Sequence, residues 1–449
     1  MNEWIIEEMK HMQLKDKRLI GRLAMLIEGF EKNPTASIPE ALCSSSETKA
    51  AYRFFDNDKV TPEDIYEGFR HATLDRICKE KEVLFLTDFT SFNFSSHKNT
   101  KGLGHLNSCK EQGLIMHSVL SLTTTGIPLG IFLQKIWGRD VSTYGISWKE
   151  PTRSIEKKES YCWIEALKQI EKTIPSSVHG IMVADRGADI YDLFAANEMP
   201  NVDLLVRAFH NRALKSHKRK LFYVLSRQRL SGHMNVQIGQ AKKGTLRNAC
   251  LEIRYTRVEP APTNQSINKK SLCLTAIEAR EINCSPNIEN PVLWRLLTTI
   301  KIESFNDACR CVELYALRWT IERYHFVLKS GCKVEELQLE SADRLKRALA
   351  VYSVVAWRLM HVTYQARKTP NASCEPILSR DQWRAIYCFV NKVKKPPSNP
   401  PNLKEAILLI AKLGGFMGRK GDGDPGVKVL WRGLRRVDDI TETYLIFKG

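Results

Sequence analysis

A chain of 449 residues with 43% hydrophobic side chains is too long for one small core and long enough for two or three packed domains. Its formal charge of +18 implies a polyanionic partner, nucleic acid before a membrane surface, because neutralising phosphates releases condensed counterions. No uninterrupted apolar run of roughly 18 residues appears and the start, Met1 to Glu8, is acidic, so a membrane span and a signal peptide are both excluded and a cytoplasmic protein is expected. The 12 cysteines show no paired C-x2-C spacing and read as reduced, mostly buried residues.

The stretch to about residue 70 reads as helical. Leu19, Leu23, Leu26, Ile27 and Phe30 keep helical spacing, Ser44-x-x-Glu47 has the form of a capping box, and Thr61-Pro-Glu-Asp64 is a helix start. Its basic residues, Lys15, Lys17, Arg18, Arg22, Lys49 and Arg53, suit DNA contact or a solvated face. Next come two apolar runs with the character of interior strands, 83–88 and 180–185, each ending in an aspartate, Asp88 and Asp185. Acids at strand ends stand at the rim of a sheet, where functional groups of α/β folds gather. A helix cap or turn is the alternative for each, and Arg186 to Asp189 does read as a strand-to-helix turn, so capping and ligation are compatible at Asp185.

From about residue 202 the pattern turns strand-like, with period-two alternation over 251–258 and strand formers over 292–300. Between them Arg207, His210, Arg212, Lys215, Lys218, Arg219 and Lys220 crowd one segment, which would repel itself unless it met phosphates. The next segment predicts a helix on which Tyr315, Arg318, Glu322 and Lys329, at offsets of 3, 7 and 14, fall within about 60° of arc, with Leu314, Leu317, Ile321 and Leu328 opposite. One acid between two bases and a phenol suits a site that ligates a divalent cation and grips phosphate oxygens, or else a solvated face with one ion pair. Residues 348–360 read as a buried helix that Arg358 keeps from resembling a membrane span. The segment 392–401 has the composition of a linker and predicts a boundary before a small tail.

Two strand-borne acids and one helix-borne acid can converge on one divalent cation, or on two about 3.5–4 Å apart. Here the chain resembles the DDE cut-and-paste transposases of bacterial insertion sequences, and within them the insertion sequence four family. The signature Y-x2-R-x3-E-x6-K stands intact as Tyr315, Arg318, Glu322 and Lys329. Residues 46–55, 183–190 and 412–417 are similar to further family motifs, so the resemblance covers almost the whole chain.

The resemblance implies an α/β fold: a helical N-terminal DNA-binding domain (1–70), an RNase H-like catalytic core (71–370) with a β-rich insertion at about 202–305, and a small α-helical dimerisation domain (371–449). It implies Asp88, Asp185 and Glu322 as catalytic and metal-ligating residues, with Mg²⁺ as cofactor and Mn²⁺ as substitute. It implies Tyr315, Arg318, Lys329, Trp294, Trp319, Arg207, Arg212 and Arg53 as DNA-binding, Trp294 receiving a base flipped from the duplex; for either tryptophan core packing is the alternative. The partners implied are double-stranded DNA, as terminal inverted repeats and target, and a second copy of the chain in the paired-end complex, at the nucleoid and with no membrane. An RNase H-like nuclease without strand transfer and a silent DNA-binding protein remain as other readings.

Overall fold

The computed structural model describes residues 3–447 apart from 43, 109, 141–143, 145–153, 240–245, 264–265, 285–287, 289–290, 376 and 420–421. Its centre is one sheet of ten strands, β1 (Glu82–Asn93), β2 (Gly104–His105), β3 (Gln112–Thr123), β4 (Pro128–Trp137), β5 (His179–Ala184), β6 (Val202–Arg207), β7 (Gly232–Gly239), β8 (Leu246–Val258), β9 (Leu274–Ile282) and β10 (Leu293–Thr298). They lie in the order β2-β3-β1-β5-β6-β10-β9-β8-β7, with β4 pairing on β3. The strands β1, β5 and β6 run parallel, β3 and β4 antiparallel beside them, which is the RNase H-like arrangement.

Both faces of this core are covered, and that is why the strands read as continuous apolar runs. On β1, Leu84 and Leu86 enter one hydrophobic cluster while Val83 and Phe85 enter the other. The first cluster packs under the N-terminal helices α1 (Glu3–Met9), α2 (Lys17–Lys32), α3 (Ile38–Ala41), α4 (Ser45–Phe55) and α5 (Pro62–Ile77). The second lies against α6 (Tyr161–Thr173), α7 (Tyr191–Ala195) and α8 (Leu221–Ser226). The expected helix starts hold: Ser44 accepts from the Glu47 amide at 3.2 Å, and Thr61 forms a capping box with Asp64 after which Pro62 opens α5.

The chain then runs through α9 (Phe305–Ala316), α10 (Trp319–Phe326), α11 (Ala342–Lys368), α12 (Arg380–Asn391), α13 (Leu403–Leu413) and α14 (Val427–Phe447). The buried stretch 348–360 lies inside α11, which crosses the first cluster and receives the N-terminal helices: Phe30 stacks on Tyr352 at 4.4 Å, and Arg347 donates to the carbonyls of Phe55 and Val60 at 2.9 and 2.7 Å. No helix is long and apolar enough to cross a membrane among the described residues.

Three expected boundaries differ. Residue 70 falls within α5, which packs along β4, so the N-terminal helices are continuous with the core. The strand at 202 is β6, paired parallel with β5, so the added antiparallel strands β7 to β10 begin only beyond Arg207 and extend the same sheet. The Pro-rich segment 392–401 connects α12 to α13 inside one apolar cluster that holds Trp383, Ile410 and Leu430 together with Val362 and Ala366 of α11. It is a loop of the C-terminal bundle, because the helices on either side bury the same core.

Candidate active site

The two aspartates are brought together by register. The parallel ladder of β1 and β5 ends at the pair Thr87 and Ala184, and Asp88 and Asp185 are the next residue on each strand. Asp88 is not at a strand end, as the apolar run suggested, since β1 continues to Asn93 along β3. Only β5 stops there, and Asp185 caps the turn that follows, accepting from the Gly187 amide at 2.8 Å. Asp88 accepts from the Phe89 amide at 2.9 Å. Both carboxylates and Lys329 line one cleft of about 620 Å³.

The helix expected over 314–329 is in fact three pieces. Its hydrogen bonds tighten to i→i−3 at Arg318 while Leu317 and Arg318 keep right-handed helical dihedrals, the α pattern resumes at Trp319 as α10, and the segment closes in a π-helical turn, Val327–Gly331, sealed by the Cys332 amide on the Val327 carbonyl at 3.0 Å. Such turns recur at functional sites because they re-aim one side chain. Here the turn carries Lys329, which lines the cleft with its Nζ 5.6 Å from the centre of the buried Phe92 ring. Behind it Gly331 leaves room for Trp431 of α14, for a Cβ there would stand 1.3 Å from the indole Cη2. The apolar side is as expected, with Leu314, Ile321 and Leu328 buried and Leu317 half-buried.

Arg318 ties the site together. Its guanidinium pairs with Glu322 one turn on and approaches Asp88 Oδ2 at 3.5 Å, and its charge acts on the nearby Tyr315 hydroxyl. Tyr315 is buried, meets the Trp294 ring edge-on at 5.2 Å, and lies near enough to Arg207 to act on its charge; Arg207 Nη2 donates to the Leu293 carbonyl at 3.2 Å. Trp294, Arg207, Tyr315, Arg318, Glu322 and Asp88 thus form one contiguous chain of contacts.

Charge within the chain is unbalanced toward the acids. Burial, with Asp185 and Glu322 nearby, pushes the Asp88 carboxyl up to about 7 although Arg318 works against it. Burial opposes the Arg318 charge, but Tyr315, Glu322 and Asp88 outweigh it and raise its pKa. Burial also raises Tyr315 and lowers Arg207 and Lys329.

Three carboxylates, two of them sharing the Arg318 guanidinium, are a donor set that suits a hard divalent cation. Among the described residues no three such side chains already stand close enough to hold one, because Arg318 lies between Asp88 and Glu322 and pairs with both. Glu322 would complete the set by turning from Arg318 toward the aspartates.

The other expected DNA contacts divide. Trp294 and Arg207 are half-buried at the rim, Trp319 is half-buried at the start of α10, and Arg53 is exposed on α4, away from the acids in sequence and contact. Arg212 does not face outward: its guanidinium is buried on Asp189, which also accepts from the Phe209 and His210 amides at 2.8 Å. The charge of that segment is thus partly internal, holding the loop after β6.

Residues with no sequence signal complete the surroundings. Asn107, Arg139, Glu159 and Trp163 line the far part of the cleft, brought there from three separate segments. On the surface of the insertion the exposed Tyr223 lies between the guanidiniums of Arg219 and Arg227, 5.2 and 5.6 Å from its ring centre; of these only Arg219 belonged to the charged run.

Comparison with known proteins agrees with this layout. Family models described as Transposase DNA-binding, Transposase DDE domain and Transposase Tn5 dimerisation domain match residues 1–60, 157–357 and 354–445. Asp185 and Glu322 fall within the DDE match and Asp88 outside it, so Asp88 stands on its register with Asp185. A cryo-EM structure of a piggyBac transposase synaptic complex with hairpin DNA aligns over 99% of this chain and 77% of that chain, at 9% identity and a TM-score of 0.38, too low to bring individual residues into correspondence.

Proposed function

The chain belongs to the DDE transposases with a Tn5-type dimerisation domain, and from that membership we propose that it excises an insertion sequence at its terminal inverted repeats and joins it to target DNA. Enzymes of this kind cut DNA, transfer strands and depend on divalent metal. The observation that carries the reading for this site is the matched register of Asp88 and Asp185 beside the Arg318–Glu322 pair.

In the proposed mechanism Asp88, Asp185 and Glu322 would hold Mg²⁺, which when bound would supply Lewis-acid polarisation of the phosphoryl oxygen and of the attacking hydroxyl. Arg318, which now pairs with Asp88 and Glu322, offers its N–H groups to the reacting phosphate. Lys329, presented by the π-turn, holds the neighbouring phosphate as a point charge, and Tyr315 keeps Arg318 and Arg207 in place. Water first releases a 3′-hydroxyl at the transposon end. That hydroxyl attacks the opposite strand, forming one phosphodiester as another breaks, and the resulting hairpin is opened by a second water. Trp294 stacks a base displaced by the hairpin, which offsets an unstacking cost of a few kcal/mol. Two copies of the chain pair two ends, and Arg53 with its basic neighbours on the N-terminal helices contacts the repeats.

The test incubates the protein and its Glu322→Ala variant with labelled DNA bearing the inverted repeats that flank its gene, with and without Mg²⁺, and resolves products on a denaturing gel. Nicks, hairpins and joined products that need both Mg²⁺ and Glu322 are expected. Cutting without hairpins or joining would indicate a nuclease, and retarded but uncut DNA a binding protein.

A further inference from the structure

The sheet order puts the strand pair that carries Asp88 and Asp185 between two flanks. Arg207 on β6 and Trp294 on β10 lie on one side of β1 and β5, whereas β3, with β2 and β4 paired to it, lies on the other. A DNA strand whose reacting phosphate sits at the acids must leave in both directions, and the proposed function assigns residues to the first flank alone. The cleft extends onto the second. Beyond Asp88 it is walled by Ser91 of β1, Asn107 after β2, and Arg139 after β4, and floored by Phe89 and Trp163. At about 620 Å³ in all, partly apolar with a few convergent polar groups, it has the size and character of a ligand site.

Arg139 is oriented before any ligand arrives. Glu159 takes its Nε and Nη2, each at 2.6 Å, and the Leu106 carbonyl lies 3.4 Å from Nη1. Glu159 is itself steadied by the Trp137 indole N–H at 3.2 Å. A guanidinium has five N–H donors, so a fixed Arg139 retains two for an anion, and Asn107 is exposed beside it. We propose that this β2–β4 flank is a DNA subsite for the strand on the non-transposon side of the reacting phosphate, with Arg139 and Asn107 meeting its backbone. That strand is flanking DNA during cleavage and target DNA during joining; its chemistry, a nucleotide phosphate, is the same in both. The inference rests on the proposed strand-transfer reading.

The experiment uses the full chain with Arg139→Gln and, because that variant loses an ion pair, Asn107→Asp, an exposed change that adds a repelling charge. Pre-cut repeat ends are joined to plasmid over a range of plasmid concentrations, and nicking of repeats that carry flanking DNA is timed in parallel. Both variants should bind pre-cut ends as the parent does. Each should need about fivefold or more plasmid for half-maximal joining, or nick flanked repeats about fivefold more slowly, the affected arm identifying which strand the subsite holds. Unchanged half-saturation and unchanged nicking in both variants would overturn the proposal, as would an equal loss of binding to pre-cut ends. A parent protein that nicks but never joins would refute the strand-transfer reading instead, and the nicking arm would still decide the subsite.

Discussion

Replacing Arg318 with Gln leaves a shorter, neutral, polar side chain and removes the guanidinium that pairs with both Asp88 and Glu322. The Arg318 and Asp88 side chains are 15% and 17% exposed, so this half of the interaction is nearly desolvated, whereas Glu322 at 34% is screened and contributes less. Breaking a buried pair costs about 3–5 kcal/mol, and discounting the Glu322 half leaves about 2–4 kcal/mol. In a chain of this size that lowers Tm by about 2–4 °C at pH 8, where an Asp88 that titrates near 7 is ionised. At pH 6 Asp88 takes a proton in both proteins and the gap should narrow. Millimolar Mg²⁺ should narrow it too at pH 8, to less than half, since a cation held by the same acids replaces the lost charge. Cleavage should nonetheless stay about 10²–10³-fold slower, because the donor to the reacting phosphate is gone. Differential scanning calorimetry with and without Mg²⁺ at both pH values decides the matter. A Tm loss of equal size with and without the cation would refute the idea that Arg318 and the metal compete for Asp88 and Glu322.

Other outcomes follow from contacts away from the acids. Arg212→Ala should cost about 3–5 kcal/mol of stability by stranding the buried Asp189, with the salt dependence of DNA binding unchanged in gel-shift titrations; a slope reduced by about one would return Arg212 to the DNA contacts. His179 bridges Glu82 and Asp203 at the opposite end of the same parallel strands, at 3.0 and 2.9 Å, and hydrogen bonds to Asp203 and Glu82 raise its pKa from 6.5 to about 9. Its stabilisation is therefore full below about pH 6.5 and lost as pH rises through about 9; discounted for partial exposure it amounts to about 1–2 kcal/mol, and His179→Ala should flatten that limb of a denaturation profile. Gly331→Ala forces Trp431 out of the space behind the π-turn at about 1–3 kcal/mol, and because that turn aims Lys329 the cleavage rate should fall more than the loss of folded protein measured by circular dichroism.

Much of the site was legible because its residues carry their own periodicity. Arg318 and Glu322 are neighbours on any helix, so their pairing followed from spacing. Asp88 and Asp185 each close an apolar run, which marked them one at a time. What spacing could not give was their adjacency, since 83–88 and 180–185 meet only through the parallel ladder that ends at the pair Thr87 and Ala184. The Pro-rich segment at 392–401 misled as a boundary because composition reports local stiffness, and says nothing of the shared core that α12 and α13 bury around it.

The sequence by itself marked the candidate chemistry: two acids closing apolar runs, a third acid with two bases and a phenol at fixed offsets, apolar runs for a covered sheet, and a charge that calls for phosphate, all written in local spacing and composition. Tertiary structure alone decided how that chemistry is arranged. It tightened the expected helix at Leu317 and Arg318 and turned its end into a π-turn, and it buried Arg212 on Asp189. It also set Arg139 and Asn107 in the same cleft as Asp88. The physical reason is that each of these outcomes depends on packing between segments far apart in the chain, where side chains compete for one interior and the sequence period of any single segment carries no record of which neighbour wins.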